Sequence, residues 1–142
     1  MKLVIIDGQS GRMGALLAER VKAAQLPCEV LAIGTNAIAT AAMMKAGADQ
    51  GATGENPVLV ACRTADVIAG PIGILSADAL LGEITPAMAA AVGRSAARKL
   101  LLPVNRHCGH TVVGVRDLTL SQLADELVEH LRALCRETPT AL

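Results

Sequence analysis

Apolar and polar positions alternate along this chain in blocks: short β-branched runs give way to longer segments whose apolar residues return at helical spacing. KLVII at 2–6 is unbroken apolar sequence after Lys2, as a strand buried on both faces requires. Met13, Leu16, Leu17, Val21 and Ala24 then predict a helix that ends before Pro27. EVLAIG at 29–34 predicts a second strand, after which Asn36 caps a helix over AIATAAMMKA that Gly47 closes.

The pattern then breaks. GADQGATGENP at 47–57 holds three glycines and a proline in eleven residues, which predicts a loop long enough to suggest function. VLVAC at 58–62 and DVIAG at 66–70 predict two strands too close for a helical crossover. Either they pair antiparallel, or one is a short turn-linked piece, or they mark a sheet edge. Thr85 and Pro86 then open a further helix as N-cap and first helical residue. LLLPVN at 100–105 and TVVGV at 111–115 predict the last strands. Thr119 and Gln122 stand in capping-box spacing before a helix carrying Leu120, Leu123, Leu127, Leu131 and Leu134, and residues 136–142 are expected to form a flexible tail. Alternating strands and helices predict one Rossmann-like α/β domain over residues 1–142, its sheet doubly wound and mostly parallel. In such a sheet ligands bind beyond the carboxyl ends of the strands.

Composition narrows the function classes. The 142 residues carry 13 basic and 13 acidic side chains and no Phe, Tyr or Trp. Neither the cationic field nor the stacking rings that nucleic acid calls for are present, so no nucleic-acid partner is expected. MKLVIID is too short for a signal-peptide core and no stretch approaches a bilayer span, so the expected location is cytoplasmic, with no membrane partner. Cys28, Cys62, Cys108 and Cys135 are widely spaced, which predicts reduced thiols.

The candidate chemistry begins at IDGQSGRMG, residues 6–14, where Gly8, Gly11 and Gly14 lie between a strand and a helix. Glycines there let a phosphate approach the free N–H groups and dipole of a helix start; a tight packed turn is the plainer alternative. The expected phosphate site comprises Gly8, Ser10, Gly11, Arg12, Met13 and Gly14, with Thr35, Asn36, Gly70 and Gly73 completing a cofactor site. A dinucleotide site usually carries a carboxylate at the end of the second strand, but Gly34, Thr35 and Asn36 occupy that place. Asn36 retains the capacity to hydrogen-bond a ribose, while Glu83, Asn105 and His107 are the candidate catalytic residues. His107, Cys108 and His110 lie too close in sequence to converge easily on one metal, so none is expected.

The GxxGRMG wording resembles the phosphate loop of nicotinamide-dependent reductases such as dihydrodipicolinate reductase, which implies NAD or NADP and a phosphate-binding role for Arg12. The double-histidine signature and substrate domain of that reductase are missing. Over most of residues 1–130, VIIDGQSGRMG, AIGTNAIATAAMMKAGADQGATGENP, ADVIAGPIGI, LLGEITPAMAAAVG, LLPVN and VVGV resemble a family of small uncharacterised bacterial proteins of Rossmann-like appearance. The expectation is therefore a small-molecule nucleotide partner in a homo-oligomer, with the reaction left open. The alternatives are a ligand-free interaction or scaffold protein, or a sensor or non-redox enzyme for a small phosphorylated metabolite.

Overall fold

A computed structural model describes residues 1–104 and 109–137. Five strands, β1 (Lys2–Asp7), β2 (Glu29–Gly34), β3 (Gln50–Thr53), β4 (Val67–Pro71) and β5 (Arg98–Leu102), form one sheet in the order β3-β2-β1-β4-β5. Every pairing is parallel, with Ile5 opposite Ala32 on one side and Ala69 on the other. The connecting helices are α1 (Arg12–Ala23), α2 (Ala37–Lys45), α3 (Glu55–Ala61), α4 (Pro86–Arg94) and α5 (Leu120–Glu137). The strand order reverses direction between β1 and β4, where a crevice opens above their carboxyl ends.

Successive side chains of β1 point to opposite faces, and each face has its own core. Leu3 and Ile5 pack with Leu17, Val21, Met43, Leu127 and Leu131, beneath α1, α2 and α5. Val4 and Ile6 pack with Val58, Ile68, Ile84, Met88 and Val92, beneath α3 and α4. Full burial on both faces is why β1 reads as continuous apolar sequence.

The expected caps form where local chemistry sets them. Asn36 accepts from Ala39 N–H at 2.9 Å, and Thr85 accepts from Met88 N–H at 3.1 Å. Thr119 and Gln122 satisfy each other's backbone N–H reciprocally, at 2.9 and 3.2 Å. At the far end α5 continues through Arg136 and Glu137, and residues 138–142 lie outside the described chain.

Two segments differ from expectation. Residues 50–53, inside the expected loop, are the edge strand β3, which needs only backbone pairing to β2 and so tolerates the polar sequence QGAT. VLVAC is not a strand: 58–61 is the second half of α3, which buries Val58 and Ala61 three residues apart and leaves Val60 exposed. An apolar run that short cannot be told from a buried helical face by periodicity alone. DVIAG therefore has no close neighbouring strand and becomes β4, central and parallel. TVVGV makes no strand either; residues 111–115 are irregular and exposed, which leaves β5 as the other edge.

Candidate functional site

The crevice between β1 and β4 holds a cavity of about 390 Å³. Its polar wall is the turn from β1 into α1, contributing Asp7, Gly8, Gln9, Ser10, Arg12 and Met13, while Pro71, Leu80, Val104 and Leu120 supply the apolar wall. Arg12 is exposed and forms no salt bridge among the described residues, and it also lines an adjoining cavity of about 550 Å³ that runs toward Thr119 at the start of α5.

Asp7 organises the turn. Its carboxylate is buried and accepts from Gly8 N–H at 2.8 Å and from Gly14 N–H, in the first turn of α1, at 2.7 Å. An internal carboxylate thus serves as the cap that Gly11 lacks a side chain to provide. Burial holds the Asp7 pKa above its ordinary 3.8, and the nearby Glu83 charge adds to the rise, against the lowering from the N–H groups of Gly14, Gly8 and Met13.

The three glycines have packing reasons of their own. A Cβ on Gly11, whose φ is +70°, would stand 2.6 Å from Ala39 Cα, and one on Gly14 would stand 2.4 Å from Met43 Sδ. These two positions let α1 press against α2 and do not line the cavity. A Cβ on Gly8 would meet Thr35 Oγ1 at 2.6 Å and Leu80 Cδ1 at 3.0 Å.

Glu83 holds the end of β2. From the segment before α4 its carboxylate accepts from Thr35 Oγ1 at 2.7 Å, from Asn36 Nδ2 at 2.6 Å and from Gln9 N–H at 3.1 Å. Asn36 Nδ2 also donates to Gln9 O at 3.0 Å. Burial raises the Glu83 pKa, but the hydrogen bonds from Thr35, Asn36 and Gln9 outweigh it and leave the group below its ordinary 4.5. The carboxylate missing from the end of β2 in sequence is thus supplied in space from a different segment, and it is already engaged within the chain.

Of the expected site residues, Gly8, Ser10, Arg12 and Met13 line the cavity, whereas Thr35 and Asn36 stand behind it, tied to the cavity-lining Gln9 through Glu83 and, for Asn36, directly through Gln9 O. Gly70 sits against the β1 backbone, where a Cβ would meet Ile6 O at 2.3 Å, and Gly73 is buried in a 3₁₀ turn at Ile72–Leu75; Pro71 between them faces the cavity instead. Asn105, His107 and Cys108 lie outside the described residues. Asp7, Gln9 and Leu80 went unrecognised as site residues. Only Asp7 left a signal, as a charge closing a strand that is apolar from Leu3 to Ile6.

Fold and crevice together define a single-domain Rossmann-like α/β protein. A family model described as "Domain of unknown function (DUF3842)" matches residues 2–136, and the chain belongs to that family. No curated protein matches. Among solved structures, the dodecameric FMN-dependent UbiX-like decarboxylase from Escherichia coli O157:H7 is similar at 13% identity, with 100% of both chains covered and a TM-score of 0.45. Among the described residues, no helix is long and apolar enough to cross a membrane, and no three His, Cys, Asp or Glu gather as metal ligands.

Proposed function

We propose that this protein binds a small phosphorylated ligand of mononucleotide size in the β1–β4 crevice. The phosphate lies beside Ser10, Arg12 and Met13 at the start of α1, and the apolar body rests on Pro71, Leu80, Val104 and Leu120. The observation that carries this reading is the Arg12 guanidinium, which forms no salt bridge among the described residues, at a cavity lined by the β1–α1 turn. A full NAD or NADP fits less well, since the place of its adenosine ribose, at the end of β2, is taken by Glu83.

A thermal-shift panel of AMP, GMP, FMN, sugar phosphates, NAD and NADP tests the proposal. A ligand at ~100 times its dissociation constant adds roughly 2.7 kcal/mol, or about 8 °C in Tm for a chain of this size. Arg12→Met, on an exposed side chain, should abolish the shift with little change in basal Tm. A panel without shifts, or shifts unchanged in Arg12→Met, refutes it. Gly11→Asp is unsuitable as the control because its side chain would collide with Ala39.

A second reading, a homo-oligomer using the β5 side of the sheet, is favoured by one observation: β5 is an edge strand among the described residues, and Val113, in the irregular segment between β5 and α5, is 93% exposed. Light scattering on the purified chain distinguishes a monomer from an oligomer.

A further inference from the structure

The donors at the end of β2 form a subsite in their own right. Thr35 Oγ1, Asn36 Nδ2 and Gln9 N–H come from two different loops and converge on one carboxylate, at 2.7, 2.6 and 3.1 Å. Each is a hydrogen-bond donor there, so what they select is an oxygen carrying negative charge. The group they hold belongs to the chain itself, from 74 residues away in sequence in the case of Gln9.

The segment that delivers this carboxylate is strained. Asp78, Leu80 and Leu81 have φ of 66°, 55° and 56°, a left-handed conformation that residues with a Cβ adopt at a cost, and Gly82 follows at 89°. Its backbone closes on itself through Asp78 N–H to Ile84 O, Gly82 N–H to Asp78 O, Glu83 N–H to Leu80 O and Ile84 N–H to Ala79 O. Leu80 reaches the crevice, whereas Leu81 is 85% exposed and packs on little. Strain of this kind persists where other contacts compel it, and the Glu83 clasp is such a contact.

We propose that residues 78–83 are an autoinhibitory strap: Glu83 occupies an oxyanion subsite formed by Gln9, Thr35 and Asn36, and a ligand carboxylate or phosphate oxygen takes its place when the strap lifts. Occupation of the subsite is separate from occupation of the crevice. A ligand anchored at Arg12 gains a second anionic anchor only by displacing Glu83, so a second anionic group on the ligand is what lifts the strap.

The test fills the vacated subsite with a free carboxylate. Wild type, Glu83→Ala, Glu83→Ser and the Glu83→Ala, Thr35→Val double variant are melted in about 100 mM sodium acetate and in sodium chloride of equal ionic strength. Glu83→Ala and Glu83→Ser should melt roughly 4 °C higher in acetate, as for a ligand at about ten times its dissociation constant. Wild type should show no difference, and Thr35→Val should remove most of the gain. If Glu83→Ala is unfolded in chloride, recovery of its helical circular dichroism in acetate is the equivalent result. In amide NMR spectra of Glu83→Ala, acetate should move Gln9, Thr35 and Asn36 and leave Gly93 still. Equal responses of wild type and both single variants, or a gain that survives Thr35→Val, overturn the proposal. Arg12→Met in the Glu83→Ala background should keep the acetate response, so that failure of the crevice reading and failure of this one give different results.

Discussion

Replacing Glu83 by alanine removes the one side chain that ties the β1–α1 turn, the end of β2 and the segment before α4 together. A hydrogen bond to a charged group is worth about 1.5–3 kcal/mol, but the three do not add. Asn36 Nδ2 keeps its bond to Gln9 O at 3.0 Å, and the Thr35 hydroxyl can turn to water at a half-buried site. Release of the left-handed leucines returns part of the loss, about 1 kcal/mol per residue relieved. The expected net destabilisation is therefore about 2 kcal/mol, a fall of roughly 1 M in the urea midpoint. Its pH dependence has a definite sign. The folded pKa of Glu83 lies below its ordinary 4.5, so the ionised side chain contributes its full stability above that value and loses it as pH falls through the folded value. Asp7, the charged neighbour, is shifted the other way, and removing Glu83 relieves it slightly. Urea titrations of both proteins should show a gap that is constant above about pH 5.5 and narrows below 4.5. A difference under ~0.5 kcal/mol at neutral pH, or a gap that widens in acid, would refute the reasoning.

Leu81→Gly removes a left-handed leucine that is 85% exposed, and is expected to stabilise by about 0.5–1 kcal/mol after the entropy cost of glycine, measured by urea denaturation. Gly11→Ala should cost roughly 3 kcal/mol or more, because its φ is +70° and its Cβ would lie 2.6 Å from the Ala39 backbone. Gly93→Ala, in α4 with nothing within 4 Å of the added Cβ, should gain about 0.5 kcal/mol in the same assay. Binding of a cyclic mononucleotide, whose diester phosphate does not titrate, should draw protons onto Asp7, since an anion at the start of α1 raises further a pKa that burial already lifts. Calorimetry in buffers of different ionisation enthalpy reads that uptake, and proton release would contradict the phosphate position.

What could be read from the sequence was local. The Asn36, Thr85 and Thr119–Gln122 caps each depend on residues within three positions of one another, and all form as expected. β1 and β2 were legible because burial on both faces leaves no polar position within them apart from their ends. β3 was not, because an edge strand is held by backbone pairing and QGAT carries no apolar signature. VLVAC was misassigned for the opposite reason: five apolar residues satisfy a buried strand and one buried helical turn alike. The Glu83 clasp spans 47 to 74 residues of sequence, and no spacing rule reaches that far.

The glycines show why a motif shared with nucleotide-binding loops underdetermines function. Gly11 and Gly14 are needed for α1 to cross α2 at the closeness that Ala39 and Met43 allow, with or without a ligand. The same economy of side-chain volume runs through the protein, whose chain has no Phe, Tyr or Trp and whose α1–α2 contact is built on Gly, Ala and Met. Asp7 then takes the α1 amide of Gly14 that a phosphate would otherwise find. What distinguishes a binding loop from a packing turn here is therefore the part packing leaves unused: Arg12, without a salt bridge among the described residues, Ser10 beside it, and a crevice whose far wall is apolar. Those residues, and not the glycine spacing, are where the proposed ligand is expected to leave its mark.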